Sequence, residues 1–315
     1  MRKKPLITIG ITCFNARLTI KRAILSAINQ TWKNKEILIV NDFSDDDSQV
    51  IIEDLIKRKK NIKLINNKKN LGCAYSRNVI IKNATGEFIA FFDDDDFSRD
   101  DRLLLQYEKI LSYEAISKSE LIACYASGKR IYPNGYIKEF YSAAFDNSSI
   151  VGEEMSDFLL FNKKYKGCFY GNGTPTCSLM ARKDLFYKVG FFDTNLSRQE
   201  DIDFAIRLGF KGGHFIGIPD KVINQYFTIG KDKTQLKELN NTLFILNKNF
   251  NYLNKKKIYN YMVKWSKLKY FYLNKEYLKS IKFFIILFIY FPINTTFKFF
   301  GSGIKRIIHD IKISR

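Results

Sequence analysis

Proline and glycine are scarce in this chain of 315 residues, which holds 5 Pro and 17 Gly. This composition excludes collagen-like repeats and linker-rich architectures, and no internal repeat is visible. Hydrophobic residues make up 46% and charged residues 27% of the chain. Such values are typical of a globular protein, and the length is sufficient to bury a full core.

Cysteines are few, odd in number, and form no CxxC or zinc-like spacing. The sequence therefore argues against a disulfide framework or a zinc site, and we expect reduced, mostly buried thiols in a cytosolic protein. The amino terminus lacks the long apolar stretch of a signal peptide, because Pro5 follows four residues and the next segment is typical of a strand. Secretion by that route is not expected.

Acidic residues are outnumbered, because 52 Lys and Arg stand against 32 Asp and Glu, for a net charge of +20. This excess favours an anionic partner such as nucleic acid, a membrane surface or a phosphorylated substrate. The excess is uneven: residues 231–315 carry +14, and the first 230 residues carry +6. The shift predicts a body over residues 1–229 and a basic extension over residues 230–315.

Short apolar runs alternate with amphipathic stretches in the first part of the chain. Strands are predicted over Leu6–Ile11, Ile37–Val40, Ile62–Ile65 and Phe88–Phe92, and helices over Thr19–Gln30, Val50–Ile56, Ala74–Asn83 and Asp101–Leu111. This order predicts an α/β fold with a mostly parallel sheet flanked by helices. In such sheets ligands bind at the carboxyl ends of the strands.

Beyond residue 120 the pattern is looser. Strands are predicted over Leu121–Ser127, Arg130–Phe140 with a turn at Pro133-Asn134-Gly135, and Val222–Ile229, and helices over Met155–Phe161 and Asp201–Leu208.

Carboxylates cluster at the ends of two predicted strands. Asp45–Asp47 follow the second strand, where an acid or Ser48 is expected to cap the next helix. Asp93–Asp96 directly follow the fourth strand, and four adjacent like charges repel one another unless a cation neutralises them. Because Mg²⁺ and Mn²⁺ prefer hard oxygen ligands and substrate phosphates, this cluster predicts a metal–diphosphate site.

Two further segments open helices with polar residues. Gly72 precedes a helix that carries Arg77, which suits an anion or a nucleotide edge, although a surface arginine is the alternative. Glu200 and Asp201 open a later helix. They either complement the helix dipole or supply a carboxylate general base, and the local sequence leaves both interpretations open.

Taken together, these segments resemble the inverting glycosyltransferases of family 2, which have the GT-A fold. The resemblance covers roughly residues 5–228, and the segments that carry it in order are Ile11–Asn15, Val40–Asp46, Gly72–Asn78, Phe92–Asp96 and Glu200-Asp201. It implies a nucleotide-binding half over residues 1–112 and an acceptor-binding half with the catalytic base over residues 113–229.

The resemblance also implies roles for individual residues. Thr12, Phe14, Asn15 and Asp42 are expected to form the base pocket of the nucleotide, with Asp42 accepting a hydrogen bond from a uracil-type N–H. Gly72, Arg77, Asp93 and Asp94 are expected to bind the nucleotide sugar, with Asp93 on the ribose or diphosphate side. Asp95 is expected to coordinate Mn²⁺ or Mg²⁺, and Asp201 to act as the catalytic base.

The sequence departs from the family pattern in places. Thr12-Cys13 stand where Pro-Thr is common, and Asn41-Asp42-Phe43 replace the frequent Asp-Asp-Gly, so that Phe43 changes the turn. No late histidine is evident as an additional metal ligand, and His214 is interpreted as structural.

The function implied is transfer of a sugar from a nucleotide sugar, expected to be a UDP-sugar, to a glycan or lipid-linked acceptor of a bacterial surface polysaccharide or lipooligosaccharide. A sugar-phosphate nucleotidyltransferase is an alternative, but the turn after the first strand lacks the glycine-rich phosphate loop that is typical of this class. A non-catalytic nucleotide- or lipid-surface-binding protein is another alternative, and the joint presence of Asp93, Asp95 and Asp201 argues against it.

The basic extension interleaves lysines with aromatics and contains an apolar run from Phe283 to Phe291. Nine helical residues reach about 14 Å, which is too short for a bilayer core of about 30 Å. With Lys275, Lys279 and Lys282 before it, the run predicts a helical extension at an anionic membrane surface, peripheral to the inner face of the cytoplasmic membrane. A helical subdomain that packs its aromatics on the body is the alternative, and nucleic-acid binding is not expected because no recognisable module accompanies the charge.

Overall fold

The computed structural model describes residues 4–227 and 234–303. Within these ranges the chain forms ten strands and twelve α-helices. The strands are β1 Ile7–Cys13, β2 Lys35–Asn41, β3 Ile62–Asn66, β4 Phe88–Asp93, β5 Phe97–Ser98, β6 Ile122–Ile131, β7 Ile137–Phe140, β8 Ile150–Val151, β9 Leu179–Arg182 and β10 His214–Tyr226. The helices are α1 Ile20–Ile28, α2 Ser48–Ile56, α3 Cys73–Asn83, α4 Arg102–Ser117, α5 Glu153–Phe161, α6 Lys183–Val189, α7 Glu200–Phe210, α8 Gln235–Lys248, α9 Phe250–Lys255, α10 Tyr259–Leu273, α11 Tyr277–Tyr290 and α12 Pro292–Lys298.

The chain separates into two compact units. Unit 1 comprises Met1–Ile131 and Ile137–Thr228, and unit 2 comprises Tyr132–Tyr136 and Ile229–Arg315. All ten strands and helices α1–α7 belong to unit 1, and helices α8–α12 belong to unit 2.

A single sheet of order β3-β2-β1-β4-β9-β6-β10-β5 forms the centre of unit 1, with β7 added to β6 and β8 to β10. Strands β3, β2, β1 and β4 are parallel, as are β6 and β10, whereas β9 runs antiparallel to both of its neighbours. The predicted α/β class with a helix-flanked sheet is confirmed, and its parallel character is greatest in the first half. Since β9 reverses direction between β4 and β6, the carboxyl ends of β1, β2, β4, β6 and β10 share one edge.

Helices cover both faces of this sheet. On one face Ile7, Ile9 and Ile11 of β1 pack with the apolar stripe of α1 and with α4. On the other face Ile80 and Ile81 of α3 pack with Phe186 of α6 and Phe204 of α7. A side chain at Gly10 would meet Ile80 at 2.5 Å, so this glycine lets α3 approach β1 closely.

Several predicted boundaries change. The strand predicted over Arg130–Phe140 is divided, because Arg130 and Ile131 end β6, and Gly135 at φ +81° turns the chain back into β7. The late strand begins at His214 rather than Val222, and its predicted residues 228–229 lie outside the described ranges. Pro219 lies within this strand, where the register with β6 shifts, and the sequence pattern therefore did not indicate the earlier start. Strands β5, β8 and β9 and helix α6 were not predicted, since they are short and gain stability from tertiary packing.

Unit 2 contains the predicted helical extension. Helices α10 and α11 pack against each other, in part through the stacked rings of Phe271 and Phe283, whose centroids are 5.5 Å apart. The Ser280 hydroxyl donates to the Leu268 carbonyl at 3.4 Å, and the Thr295 hydroxyl of α12 donates to the Leu287 carbonyl at 3.0 Å. In the described part of the chain, no helix has both the length and the apolar character needed to cross a membrane.

Candidate active site

Four aspartates at the carboxyl end of β4, Asp93–Asp96, form an acidic turn at this edge of the sheet. Asp94 Oδ2 accepts a hydrogen bond from the Phe14 backbone N–H at 3.0 Å, and the Arg22 guanidinium donates to the Asp95 carbonyl. Burial and the charge of Asp95 raise the pKa of Asp94 to about 8. Burial and the charges of Asp93 and Asp95 raise the pKa of Asp96 to about 8 as well. The turn therefore concentrates negative charge that is poorly stabilised by the protein alone.

The donor atoms of this turn suit a hard divalent cation. One oxygen each of Asp93 and Asp96 and the sulfur of Cys177 lie within 4.8 Å of one another. Burial raises the pKa of the Cys177 thiol well above its ordinary value. Because sulfur is a soft ligand, the two carboxylates are the better ligands for a hard cation. Cys177 was not predicted here, because it follows the turn by more than 80 residues. Asp95 lies in the same turn but outside this group of three, and its metal-binding role stays a prediction.

The turns after β1 and β2 lie side by side. The Asn15 backbone N–H donates to the Ser44 hydroxyl at 3.1 Å, and Asn15 Oδ1 accepts from the Asp45 N–H at 3.0 Å. Phe43 stands where the family pattern frequently has glycine. It has φ +64°, a backbone conformation that favours glycine. The Asp42 N–H also donates to the Cys13 carbonyl at 2.8 Å. The two turns that carry the predicted base-pocket residues are thus adjacent, and the contact of these residues with a nucleotide stays a prediction.

Two further sets of contacts hold these turns. Asp46 Oδ1 accepts a bond from the Ser48 N–H at 2.9 Å, and its Oδ2 accepts one from the Arg17 N–H at 3.0 Å. The side chain of Asp47, the N-cap residue of α2, makes no capping hydrogen bond, so the acid next to the N-cap holds this turn instead. Thr12 Oγ1 lies 3.6 Å from the sulfur of Cys73, at the start of α3.

Asp42 is buried and has three donors within the protein. Its Oδ1 accepts from the Asn67 side chain at 2.7 Å and the Leu71 N–H at 3.0 Å, and its Oδ2 accepts from the Gly72 N–H at 2.7 Å. Gly72 has φ +84°, which presents its N–H to this carboxylate. Asp42 therefore organises the loop that leads into α3, in addition to the nucleotide contact predicted for it.

We expect Asp42→Asn to lower the free energy of unfolding by about 1–3 kcal/mol, because one oxygen becomes an amide donor and a buried N–H loses its acceptor. Urea unfolding of the two proteins measures the difference. Asp45→Asn removes an exposed charge from the same turn and should change stability by less than about 0.5 kcal/mol. Equal, small effects of both substitutions would show that the Asp42 bonds contribute little.

Arg77 is buried, so the alternative of a surface arginine is wrong. Its Nη1 pairs with Glu200 Oε1, and its Nη2 lies 3.3 Å from Asp93 Oδ1. The guanidinium thus contacts both the acidic turn and the first turn of α7. No spacing in the sequence signals the pair with Glu200, which is 123 residues away.

Asp201 lies in the first turn of α7, and its Oδ1 accepts a bond from the Ile202 N–H at 2.8 Å. Burial and the charge of Glu200 raise the pKa of Asp201 to about 7, against the opposing charge of Arg77. A carboxylate whose pKa is near neutrality is well suited to accept a proton at physiological pH. The hydrogen bond that Asp201 Oδ1 accepts from the Ile202 N–H does not prevent the carboxylate from accepting a proton.

His214, the first residue of β10, lies at the amino edge of the sheet, opposite the acidic turn. Its Nδ1 is 2.8 Å from the Tyr113 hydroxyl. This placement agrees with its interpretation as a structural residue.

Comparison with known proteins places these features in a family context. A family model described as Glycosyl transferase family 2 matches residues 8–185. The chain is similar to the GalNAc(5)-diNAcBac-PP-undecaprenol beta-1,3-glucosyltransferase of Campylobacter jejuni, at 30% identity over 212 residues that cover 63% of this chain and 67% of that protein. It is also similar to the UDP-Glc:alpha-D-GlcNAc-diphosphoundecaprenol beta-1,3-glucosyltransferase WfgD of Escherichia coli, at 30% identity over 42% of this chain and 55% of that protein.

Solved structures show the same architecture. The structure of S. aureus TarS 1-349 in complex with UDP-GlcNAc superposes with a TM-score of 0.58 over 84% of this chain and 72% of that one. At 18% identity this similarity concerns the fold alone. The chain spans 43% and 34% of the length of two other curated relatives.

Proposed function

This chain belongs to glycosyl transferase family 2, is a transferase enzyme and has the expected GT-A fold, and from that premise we propose its reaction. It transfers a sugar from a nucleotide sugar, a UDP-sugar, to a hydroxyl of a glycan or lipid-linked acceptor, with inversion at the anomeric carbon. The observation that carries the proposal is that Arg77 contacts the acidic turn through Asp93 and the helix of Asp201 through Glu200. The acidic turn and a carboxylate of raised pKa therefore lie at one sheet edge, which supports the binding of the diphosphate and the acceptor hydroxyl side by side.

The chemistry requires two groups from the protein. Asp201 takes the proton of the acceptor hydroxyl while that oxygen bonds to the anomeric carbon and the bond to the diphosphate oxygen breaks. A single in-line displacement of this kind inverts the carbon and needs no enzyme nucleophile. A divalent cation, Mn²⁺ or Mg²⁺, when bound, neutralises charge on the leaving diphosphate, and Asp95 with its neighbours in the acidic turn would hold it.

The acceptor class is proposed from relatives. The C. jejuni and E. coli enzymes are named for acceptors linked through a diphosphate to undecaprenol. We infer a lipid-linked saccharide of a bacterial surface polysaccharide as the acceptor of this chain.

The proposal is tested by measuring UDP release from a panel of UDP-sugars, with and without Mn²⁺, in the presence of a polyprenyl-diphosphate-linked amino sugar. Acceptor-dependent UDP release with sugar transfer to the lipid is the expected result. Formation of a nucleotide sugar from UTP and a sugar phosphate would indicate the nucleotidyltransferase alternative. UDP binding without turnover would indicate a non-catalytic binding protein.

We expect kcat/KM to fall as the pH drops below about 7, because protonated Asp201 cannot accept the proton of the acceptor. The folded-state pKa is raised, so the active, charged form is lost at a higher pH than for an ordinary aspartate. A pH–rate profile at saturating Mn²⁺ measures this acid limb. A limb with its midpoint near pH 4 would contradict the raised pKa.

Association with an anionic membrane surface is part of the proposal and is supported by one face of unit 2. Along α11 the stripe Leu278, Ile281, Ile285, Phe288 and Ile289 is exposed, although Ser280 and Leu287 on the opposite side are buried. A helix that is apolar on both sides needs a cover for its exposed side. Between residues 277 and 303 the sequence has three lysines and no acid, which favours anionic lipid as that cover.

We expect the double substitution Leu278→Ser and Ile289→Ser to weaken binding to anionic vesicles by on the order of tenfold or more, because each exposed apolar side chain contributes about 1 kcal/mol on insertion. The two side chains are 86% and 66% exposed. Vesicle flotation at low salt measures the partitioning. Leu18→Ser with Ile116→Ser is the matched control in unit 1, where the side chains are 87% and 82% exposed. Equal partitioning of both double variants would contradict the assignment of this face.

A further inference from the structure

Three charged side chains, Arg77, Glu200 and Asp93, are in contact within the candidate site. Arg77 of α3 pairs with Glu200, the first residue of α7, and also lies 3.3 Å from Asp93 at the end of β4. Arg77 and Glu200 are both buried. Removing these charges from water is costly, and a buried ion pair is weak support for stability because apolar residues of similar size often serve as well. Its position between the acidic turn and the proposed base therefore calls for a functional explanation.

We propose that Glu200 is a positioning residue for sugar transfer: by its ion pair with Arg77 it fixes the first turn of α7, and with it Asp201, relative to the acidic turn. The inference rests on the proposed function. It assigns to Glu200 no contact with substrate.

The local geometry explains why α7 needs such an anchor. Gln199, directly before the helix, has φ +65°, so the chain enters α7 through a left-handed residue instead of a continuous turn. Helix α3 holds the preceding segment as well, because the Asn78 side chain donates to the Phe192 carbonyl at 2.8 Å and accepts from the Phe192 N–H at 2.9 Å. Asn78 thus holds the segment 192–200 at Phe192, and Arg77 holds it at Glu200.

The bond that Asp201 accepts comes from its own helix, from the Ile202 N–H. The position of the Asp201 carboxylate consequently depends on where the first turn of α7 is held. Displacements of about 1 Å at a reacting group reduce rates by on the order of 10²-fold. An anchor at the adjacent residue therefore has a direct effect on the reaction.

The same network has a second, electrostatic effect on Asp201. The charged or titratable groups that act on it are Glu200 of its own helix, Arg77 of α3, Asp93 at the end of β4 and Tyr125 of β6. Glu200 and Asp93 raise the pKa of Asp201, and Arg77 lowers it. Removal of the Glu200 charge should move the acid limb of the pH–rate profile to lower pH, and removal of the Arg77 charge should move it to higher pH.

The test compares Glu200→Gln, Glu200→Asp and Arg77→Met with the full-length wild-type chain. Glu200→Gln leaves Arg77 with Asp93 and an amide oxygen, so the guanidinium is not orphaned. The matched control is Glu114→Gln, which removes the charge and one of the two bonds of a pair with Arg182 elsewhere in unit 1, where these bonds measure 2.5 and 2.7 Å. The measurements are kcat and KM for the nucleotide sugar, calorimetric binding of UDP with Mn²⁺, and the pH–rate profile.

We expect Glu200→Gln to lower kcat by about 10- to 100-fold, with KM and UDP binding within about threefold of wild type, and to shift the acid limb to lower pH. Glu200→Asp keeps the charge but shortens the side chain, so kcat should fall while the limb stays at the wild-type pH. Arg77→Met should shift the limb to higher pH. Glu114→Gln should lower the melting temperature without changing kcat or the acid limb of the pH–rate profile.

The proposal is overturned if Glu200→Gln retains kcat within about twofold and an unshifted acid limb, or if its loss of activity is matched by Glu114→Gln. Should Glu200→Gln fail to fold, Glu200→Asp decides: a lower kcat with an unchanged limb supports the anchor, and an unchanged kcat overturns it. A wild-type chain that turns over no nucleotide sugar would refute the proposed function, and this inference with it. Turnover by the wild-type chain, together with an unchanged kcat and acid limb in Glu200→Gln, would refute this inference alone.

Discussion

Asp201→Asn should reduce turnover by a factor of about 10²–10⁴, which is typical of the loss of general-base catalysis. Asparagine has nearly the size of aspartate and keeps an oxygen that can accept the Ile202 N–H bond, but it cannot accept a proton at neutral pH. Binding of UDP and metal should stay close to wild type, because those contacts are assigned to Asp42, Asp93 and Asp95. The measurements are the transfer rate and calorimetric UDP binding of the same preparation.

The control for this variant is Glu153→Gln, which removes an acid from the first turn of α5. If the carboxylate of Asp201 only complements the dipole of its helix, the two variants should behave alike, with activities near wild type. Intact turnover of Asp201→Asn, or loss of UDP binding in a folded variant, would show that the base is another residue. The residual activity of Asp201→Asn should also lack the acid limb near pH 7.

The second large effect is expected for Asp95→Ala, which should abolish metal-dependent transfer. The substitution removes one carboxylate oxygen and one negative charge from the proposed metal shell, and a bound cation contributes several kcal/mol of charge stabilisation to the departing diphosphate. A decrease of roughly 10³-fold or more in kcat at saturating donor is expected, together with weaker binding of UDP in the presence of Mn²⁺. Titration of activity with Mn²⁺ measures the effect.

Asp45→Ala is the control, because it removes an exposed acid from the neighbouring turn. Full activity of purified Asp95→Ala without added metal would refute the metal assignment. The structure also offers a direct contrast, since Asp93, Asp96 and Cys177 form the group of clustered donor atoms. If Asp96→Ala loses Mn²⁺-dependent activity and Asp95→Ala keeps it, the cation is held by that group instead.

Local sequence patterns identified the elements that carry strong periodicity. Helix α1 has its apolar residues on one face, and β1, β2 and β4 are apolar runs of strand length, so their type and approximate place were predictable. The acidic turn was also predictable, because it follows a buried strand and parallel strands end at one edge. By contrast, β9 has four residues and lies antiparallel between β4 and β6, a placement that no local pattern encodes.

The sequence by itself determined the α/β class, the acidic turn, the carboxylate pair Glu200-Asp201 and the basic extension, because each is a local run of residue types. The tertiary structure alone decided which distant side chains meet. It paired Arg77 with Glu200, gave Asp42 its donors from residues 67–72, and brought Cys177 beside the acidic turn. It also set the proton affinity of Asp201, because burial and neighbouring charges act through space and depend on the folded chain, whereas the sequence specifies only neighbours along it.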